Sequence, residues 1–225
     1  VPPGSPIDPG VVAANIAAVR ARIAAHGGAG RTRLVAVTKG FGPDAIVAAA
    51  VAGADAVGEN YAQELEDKLH ALGGPPPLPV HFIGRIQRNK VRHLAPYVAL
   101  WHSVDRVEVG AEIAKRAPGA AVLAQVNLSG ESQKGGCEPA DAPALVGALR
   151  DLGLDVRGLM GVAPAGPAES ARPGFRRLAD LAAELSLSEL SMGMSDDLEV
   201  AVECGATFVR IGRSLFGARP TGREP

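Results

Sequence analysis

The feature that most constrains this chain is a rhythm. Short apolar runs, each followed by a stretch with helical spacing, recur eight times along 225 residues. The runs are Leu34–Lys39, Ala56–Asn60, Val80–Gly84, Leu100–Val104, Val122–Leu128, Val156–Val162, Glu189–Met192 and Phe208–Gly212. Between them the spacing predicts helices over Asp44–Ala52, Ala62–Leu69, Asn89–Leu94, Val107–Arg116, Ala142–Leu152, Phe175–Leu185 and Leu198–Cys204, with a first one over Val11–Ala25. Alternating strands and helices imply parallel strands joined by right-handed crossovers. Eight such units predict an α/β fold, a closed (β/α)8 barrel of the TIM type. A doubly wound open sheet is the competing arrangement, but it leaves edges that a barrel abolishes. No repeat, linker or shift in composition divides the chain, so one domain over 1–225 is expected, with loose tails at 1–9 and 218–225.

Charge narrows the function. The chain carries 23 basic and 24 acidic residues, a balance that argues against a general nucleic-acid binder. The stretch Arg85, Arg88, Lys90, Arg92, His93 reads first as a solvated helix face, with nucleic-acid binding as a minor alternative. Neither an apolar leader nor an apolar stretch of membrane length is visible. Cys137 and Cys204 are far apart and read as reduced thiols. The expectation is a soluble cytoplasmic protein with no membrane partner.

In a barrel of this type, function collects at the carboxyl ends of the strands. Lys39 ends the first apolar run and is one of only five lysines. Burial favours the neutral amine of a lysine, and a neutral amine attacks aldehydes. From position alone, however, a surface lysine whose ammonium reaches water is the favoured reading. The last two runs shift that balance. Ser191, Gly193 and Ser195 lie at the end of the seventh and just beyond it, and Gly212, Arg213 and Ser214 do the same at the eighth. Barrels often bind phosphate there, on backbone N–H groups approached closely through small residues. Asp196 with Glu199 also reads as a helix capping box, and these carboxylates must be turned away or paired if an anion is to bind. Arg210 lies inside the eighth run, where an arginine needs a partner. That partner is either a buried carboxylate or the ring nitrogen of a cofactor. Lys39, the two small-residue loops and Arg210 together fit an aromatic phosphate that bears an aldehyde. His81 and His102 read as hydrogen-bonded core histidines rather than metal ligands, and Trp101 and Met160 as core.

Seven segments in this order carry a resemblance: LVAVTK (34–39), VGENYAQE (57–64), HFIGRIQRNK (81–90), VNLSGESQKG (126–135), GLMG (158–161), LSMGMSDD (190–197) and VRIGRSLFG (209–217). Together they resemble the pyridoxal phosphate homeostasis proteins, single-barrel relatives of the alanine racemase amino-terminal domain. The resemblance runs from about Val11 to Arg219. Arg85 and Ile86 stand where that family more usually has a small residue or proline and then leucine.

The resemblance implies that Lys39 holds pyridoxal 5'-phosphate covalently as a Schiff base. It implies that Ser195, Gly212 and Arg213 hold the phosphate, that Arg210 faces the pyridine nitrogen, and that Asn60 and Met160 line the ring. Ser191 and Gly193 would shape the phosphate loop. It further implies a monomeric carrier that regulates the free cofactor and passes it to apo-enzymes, rather than an enzyme. The racemase relatives use a tyrosine from a second domain, whereas this sequence stops soon after the eighth run, and its tyrosines are Tyr61 and Tyr97. A small amino-acid racemase is the alternative.

Overall fold

A computed structural model describes residues 7–130 and 135–218. Its eight parallel strands close into a barrel in chain order: β1 (Arg33–Val37), β2 (Ala56–Glu59), β3 (Val80–Phe82), β4 (Val98–Val104), β5 (Ala121–Asn127), β6 (Asp155–Val162), β7 (Glu189–Ser191) and β8 (Phe208–Ile211). Closure is made by β8 against β1, in register from Arg33 opposite Phe208 to Ala36 opposite Ile211. The open-sheet alternative is thereby excluded.

Among the described residues the helices are α1 (Pro9–Ala25), α2 (Pro43–Val51), α3 (Ala62–Leu72), α4 (Val91–Leu94), α5 (Val107–Arg116), α6 (Ala142–Asp151), α7 (Arg172–Glu184), α8 (Leu198–Glu203) and α9 (Arg213–Phe216). The helix expected over Asn89–Leu94 is a tight 3-10 turn, Arg88–Lys90, running into the single turn of α4. The amino-terminal end is firmer than the sequence suggests. Asp8 caps α1 by accepting the Gly10 N–H, Pro9 opens the helix, and the Ile7 N–H donates to Asp44. The rest of the two expected tails, 1–6 and 219–225, lies outside the described residues.

Strand periodicity sorts the side chains into two apolar compartments. Val35, Ala56, Leu100, Leu123, Met160 and Phe208 pack together inside the lumen. Alternate residues such as Leu34, Ala36, Val57 and Val209 face outward and pack against the helices. The helices answer with apolar stripes. Val12, Ile16, Val19 and Ile23 on α1 recur every three or four residues and are all buried. Trp101 is buried in this outer layer, as its sequence context suggests.

Candidate functional site

Lys39 lies two residues beyond β1, in a turn rather than in the strand itself. It keeps the parity of Val35 and Val37, and the turn around it is fixed by its neighbours. The Phe41 N–H donates to the Thr38 carbonyl, and Gly40 takes a positive φ of 79° that a side chain would resist. Behind the turn, between sheet and α3, sits a buried charged cluster. The Lys68 ammonium spends its three donors on Thr38 O at 2.8 Å, Glu59 Oε1 at 2.6 Å and Glu64 Oε1 at 2.6 Å. Glu59 also accepts the Thr38 hydroxyl at 2.6 Å, and Glu64 accepts the Gly40 N–H at 2.6 Å. The residues on both sides of Lys39 are therefore gripped by one cluster. Lys68 is 3% exposed and Glu59 is fully buried. Burial raises the Glu59 carboxyl above its ordinary value, while Lys68 and Thr38 pull it back.

Sequence reasoning did not single out this cluster, although two signals were present. Glu59 interrupts an apolar strand, and Glu64 with Lys68 forms an i,i+4 pair on a helix.

Arg210 projects into the lumen from β8 and is 5% exposed. It donates to Ser191 Oγ at 2.6 Å and to the Gly161 carbonyl at 3.1 Å. No carboxylate pairs with it among the described residues. Desolvation draws the guanidinium down to about 10, which still leaves it cationic at neutral pH, and Asp197 acts in the opposite sense. Met160 lies in the same lumen, opposite Ser191 in the β6–β7 register. Ser191 itself is fully buried on the Arg210 side chain rather than in the loop that follows it.

That loop and the one after β8 are built from small residues. Gly193 has φ +92°, and a Cβ there would lie 2.5 Å from the Ala201 Cβ, so only glycine fits. Gly212 precedes α9, whose first N–H groups have no acceptor inside the helix. The three nearby carboxylates are paired. Asp196 meets Arg213 at 3.0 Å, Asp197 accepts the Met194 N–H at 2.6 Å, and Glu199 meets Arg22 at 2.6 Å. The expected capping box is absent: Asp197 is the cap residue of α8, and its side chain turns back to the loop. The Arg213 side chain is largely exposed on Asp196.

Asn60 follows β2 and keeps the lumen parity of Ala56 and Gly58. Its Oδ1 is buried without a hydrogen-bond partner. The residue borders a cavity of about 220 Å³ shared with Tyr61, Arg85, Gln87 and Lys90. Tyr97 precedes β4, at the opposite, amino-terminal end of the barrel.

His81 and His102 are both buried and hydrogen-bonded, as expected of core histidines. Desolvation, with Arg33 and Arg157 adding to it, brings His81 down to about 4, and His102 also falls well below its ordinary value. The sign follows from proton counting. Below pH 6.5 the unfolded chain takes up protons that the folded His81 refuses until about pH 4. Stability should therefore be undiminished above pH 6.5 and fall as the pH drops toward 4, by roughly 3 kcal/mol from this residue alone. Urea melts across that range should show the loss, and His81→Asn should flatten it.

The profile of the alanine racemase N-terminal domain matches residues 7–220. A pyridoxal phosphate homeostasis protein of Pseudomonas aeruginosa is 45% identical over 225 residues, covering 94% of this chain and 97% of the relative. This chain belongs to the pyridoxal phosphate homeostasis protein family. The structure of PipY from Synechococcus elongatus with PLP bound superposes with a TM-score of 0.82 at 34% identity, covering 92% of this chain and all of that one. Alanine racemase of Clostridium difficile shares the fold alone, with a TM-score of 0.72 at 15% identity, and this chain spans 58% of it.

Proposed function

We propose that this family member binds pyridoxal phosphate at the carboxyl mouth of its barrel and acts in the homeostasis of that cofactor, holding it through Lys39 without turning over a substrate. The observation that carries the reading is the convergence on one mouth of a lysine on a clamped turn, a buried arginine without a carboxylate partner, and two small-residue loops whose nearby carboxylates are already paired. Pyridoxal phosphate supplies an aldehyde that condenses with an amine, a ring nitrogen, and a phosphate dianion.

The residues present fit each of these. The Lys39 amine takes the aldehyde. Backbone N–H groups around Ser195, Gly212 and Arg213 take the phosphate. The Gly193 conformation shapes the loop, and Asn60, whose Oδ1 is buried without a hydrogen-bond partner, would line the ring. Arg210 would face the ring nitrogen. Because a guanidinium stays protonated, it leaves that nitrogen bare and weakens the ring as an electron sink. Met160 would line the ring, and Ser191 would act by holding Arg210. A weak sink suits holding the cofactor better than breaking a substrate bond.

Turnover would require a second acid or base within reach of the substrate proton. Tyr97 is at the far end of the barrel. Tyr61 is 37% exposed and follows Asn60. The reading extends to a cytoplasmic monomer that releases the cofactor to apo-enzymes. No described helix is long and apolar enough to cross a membrane.

The direct test is uptake. Protein mixed with pyridoxal phosphate should acquire a visible absorption band. Borohydride should then fix one phosphopyridoxyl group on the peptide containing Lys39. The loaded protein should leave L-alanine and L-serine unracemised over hours. Failure to take up the cofactor would sink the binding role, and racemisation lost in Lys39→Ala would replace the carrier reading with an enzymatic one.

A further inference from the structure

The lumen holds a polar feature that binding a cofactor at one mouth does not by itself require. His81 on β3 and His102 on β4 stand inside the barrel, with ring centroids 4.9 Å apart and Phe208 against both at 5.4 Å. His102 Nε2 lies 3.0 Å from His81 Nδ1, and His102 Nδ1 lies 2.8 Å from Ser191 Oγ. Ser191 Oγ is also the acceptor for Arg210. Four side chains thus form one hydrogen-bonded column. It starts at Arg210 near the carboxyl mouth and ends at His81, which lines a cavity at the amino-terminal mouth with Arg33, Asp55, Arg157 and Phe208.

Arginine sets the direction of this column. A guanidinium donates and never accepts, so Ser191 Oγ accepts from it. Among the described residues the hydroxyl hydrogen then has one acceptor within reach, His102 Nδ1. His102 must therefore carry its proton on Nε2 and donate it to His81 Nδ1. His81 in turn carries its proton on Nε2, where the column ends. The opposite tautomers would leave the Ser191 hydroxyl hydrogen buried without an acceptor, which native interiors avoid. Burial keeps both rings neutral, as the tautomers require.

We propose that His102 and His81 are positioning residues for Arg210: acting through Ser191, they fix the orientation of the guanidinium and so tie the cofactor end of the lumen to the opposite mouth. The inference rests on the reading of Arg210 as the partner of the pyridine nitrogen, and it reaches further. Residues that never touch the cofactor tune its electronics, and the amino-terminal mouth becomes a place from which the bound state can be altered.

Two measurements test it, one of them without cofactor. Long-range proton–nitrogen NMR of the histidine rings in the cofactor-free protein, assigned with His81→Asn and His102→Asn, should show both rings neutral with the proton on Nε2. A proton on Nδ1 of either ring overturns the column. In the loaded protein, His102→Leu should move the pH midpoint of the visible band by about one unit while borohydride still labels Lys39. His102→Asn keeps an acceptor at the δ position and should restore the midpoint toward that of the parent. An unshifted midpoint in a folded His102→Leu protein overturns the proposal, as does a His102→Asn protein no better than the leucine variant. If His102→Leu does not fold, Ser191→Ala serves in its place with the same expected shift. A parent protein that takes up no pyridoxal phosphate overturns the functional reading instead, and the tautomers then decide the column alone.

Discussion

Lys39→Ala should give a folded barrel that no longer retains the cofactor through borohydride reduction. The expected loss is complete for the covalent label, because among the described residues Lys39 is the only lysine on the lumen parity of β1. The fold should survive the change. The turn is held by the Thr38 carbonyl, the Gly40 N–H and the side chains of Glu59, Glu64 and Lys68, none of which the substitution removes. A change of about 1 kcal/mol, or 2–4 °C in melting temperature, is the scale to expect for a half-buried position outside the core. Lys39→Arg separates charge from chemistry. It keeps a cation near the phosphate but has no amine to condense, so it should bind weakly and reversibly and leave nothing for borohydride to fix. Label persisting in either variant, on Lys90 or Lys115 for example, would remove Lys39 from its assigned role. Differential scanning fluorimetry and peptide mass analysis on the same samples are sufficient.

How legible was this arrangement in the sequence? The strands were legible because parallel barrel strands are apolar on both faces and end abruptly. Their ends shifted by a residue or two, and that shift matters at Lys39, which ends an apolar run in sequence but sits in a turn in space. At Asn89–Leu94 the structure is helical but begins as a 3-10 turn, which apolar spacing over six residues does not distinguish from an α-turn. The phosphate loops were visible as glycine and serine at the right strand ends. What closes them to their own acidic neighbours was not, since Asp196, Asp197 and Glu199 find Arg213, a backbone N–H and Arg22 only after folding. Arg210 was recognised as needing a partner. That its partner is Ser191, and through it two histidines from distant strands, depends on barrel closure and on no local pattern.

The Lys68 cluster does leave local signals, Glu59 at the end of an apolar strand and Glu64 with Lys68 at i,i+4, but what it clamps emerges only on folding, and Lys68 carries the largest expected effect on stability. Lys68→Met should destabilise the fold by about 3–5 kcal/mol, because it removes the cation paired with a buried carboxylate. At 2–4 °C per kcal/mol for a chain of this size, the melting temperature should drop by roughly 6–20 °C. Glu59 already has one buried oxygen without a partner, so loss of the ammonium leaves it with the Thr38 hydroxyl alone. Glu59→Gln should be much milder. Its amide resembles the protonated acid toward which burial already pushes this carboxyl, and Lys68 keeps Glu64 and the Thr38 carbonyl.

The pH dependence of the two carboxyl forms gives an independent check. A carboxyl whose folded value is raised binds its proton more readily in the native state, so its contribution declines as the pH rises from about 4.5 through the folded value. Glu59→Gln should therefore gain relative to the parent as the pH rises through that window. The double variant Glu59→Gln, Lys68→Met should recover part of the loss seen in Lys68→Met, since the stranded charge is gone. If Lys68→Met melts within 2–4 °C of the parent, about 1 kcal/mol, the cluster is not what holds the Lys39 turn. If it melts as expected and also takes up cofactor poorly below its melting range, stability and binding share one anchor, and the turn that presents the amine is only as firm as the ion pair behind it.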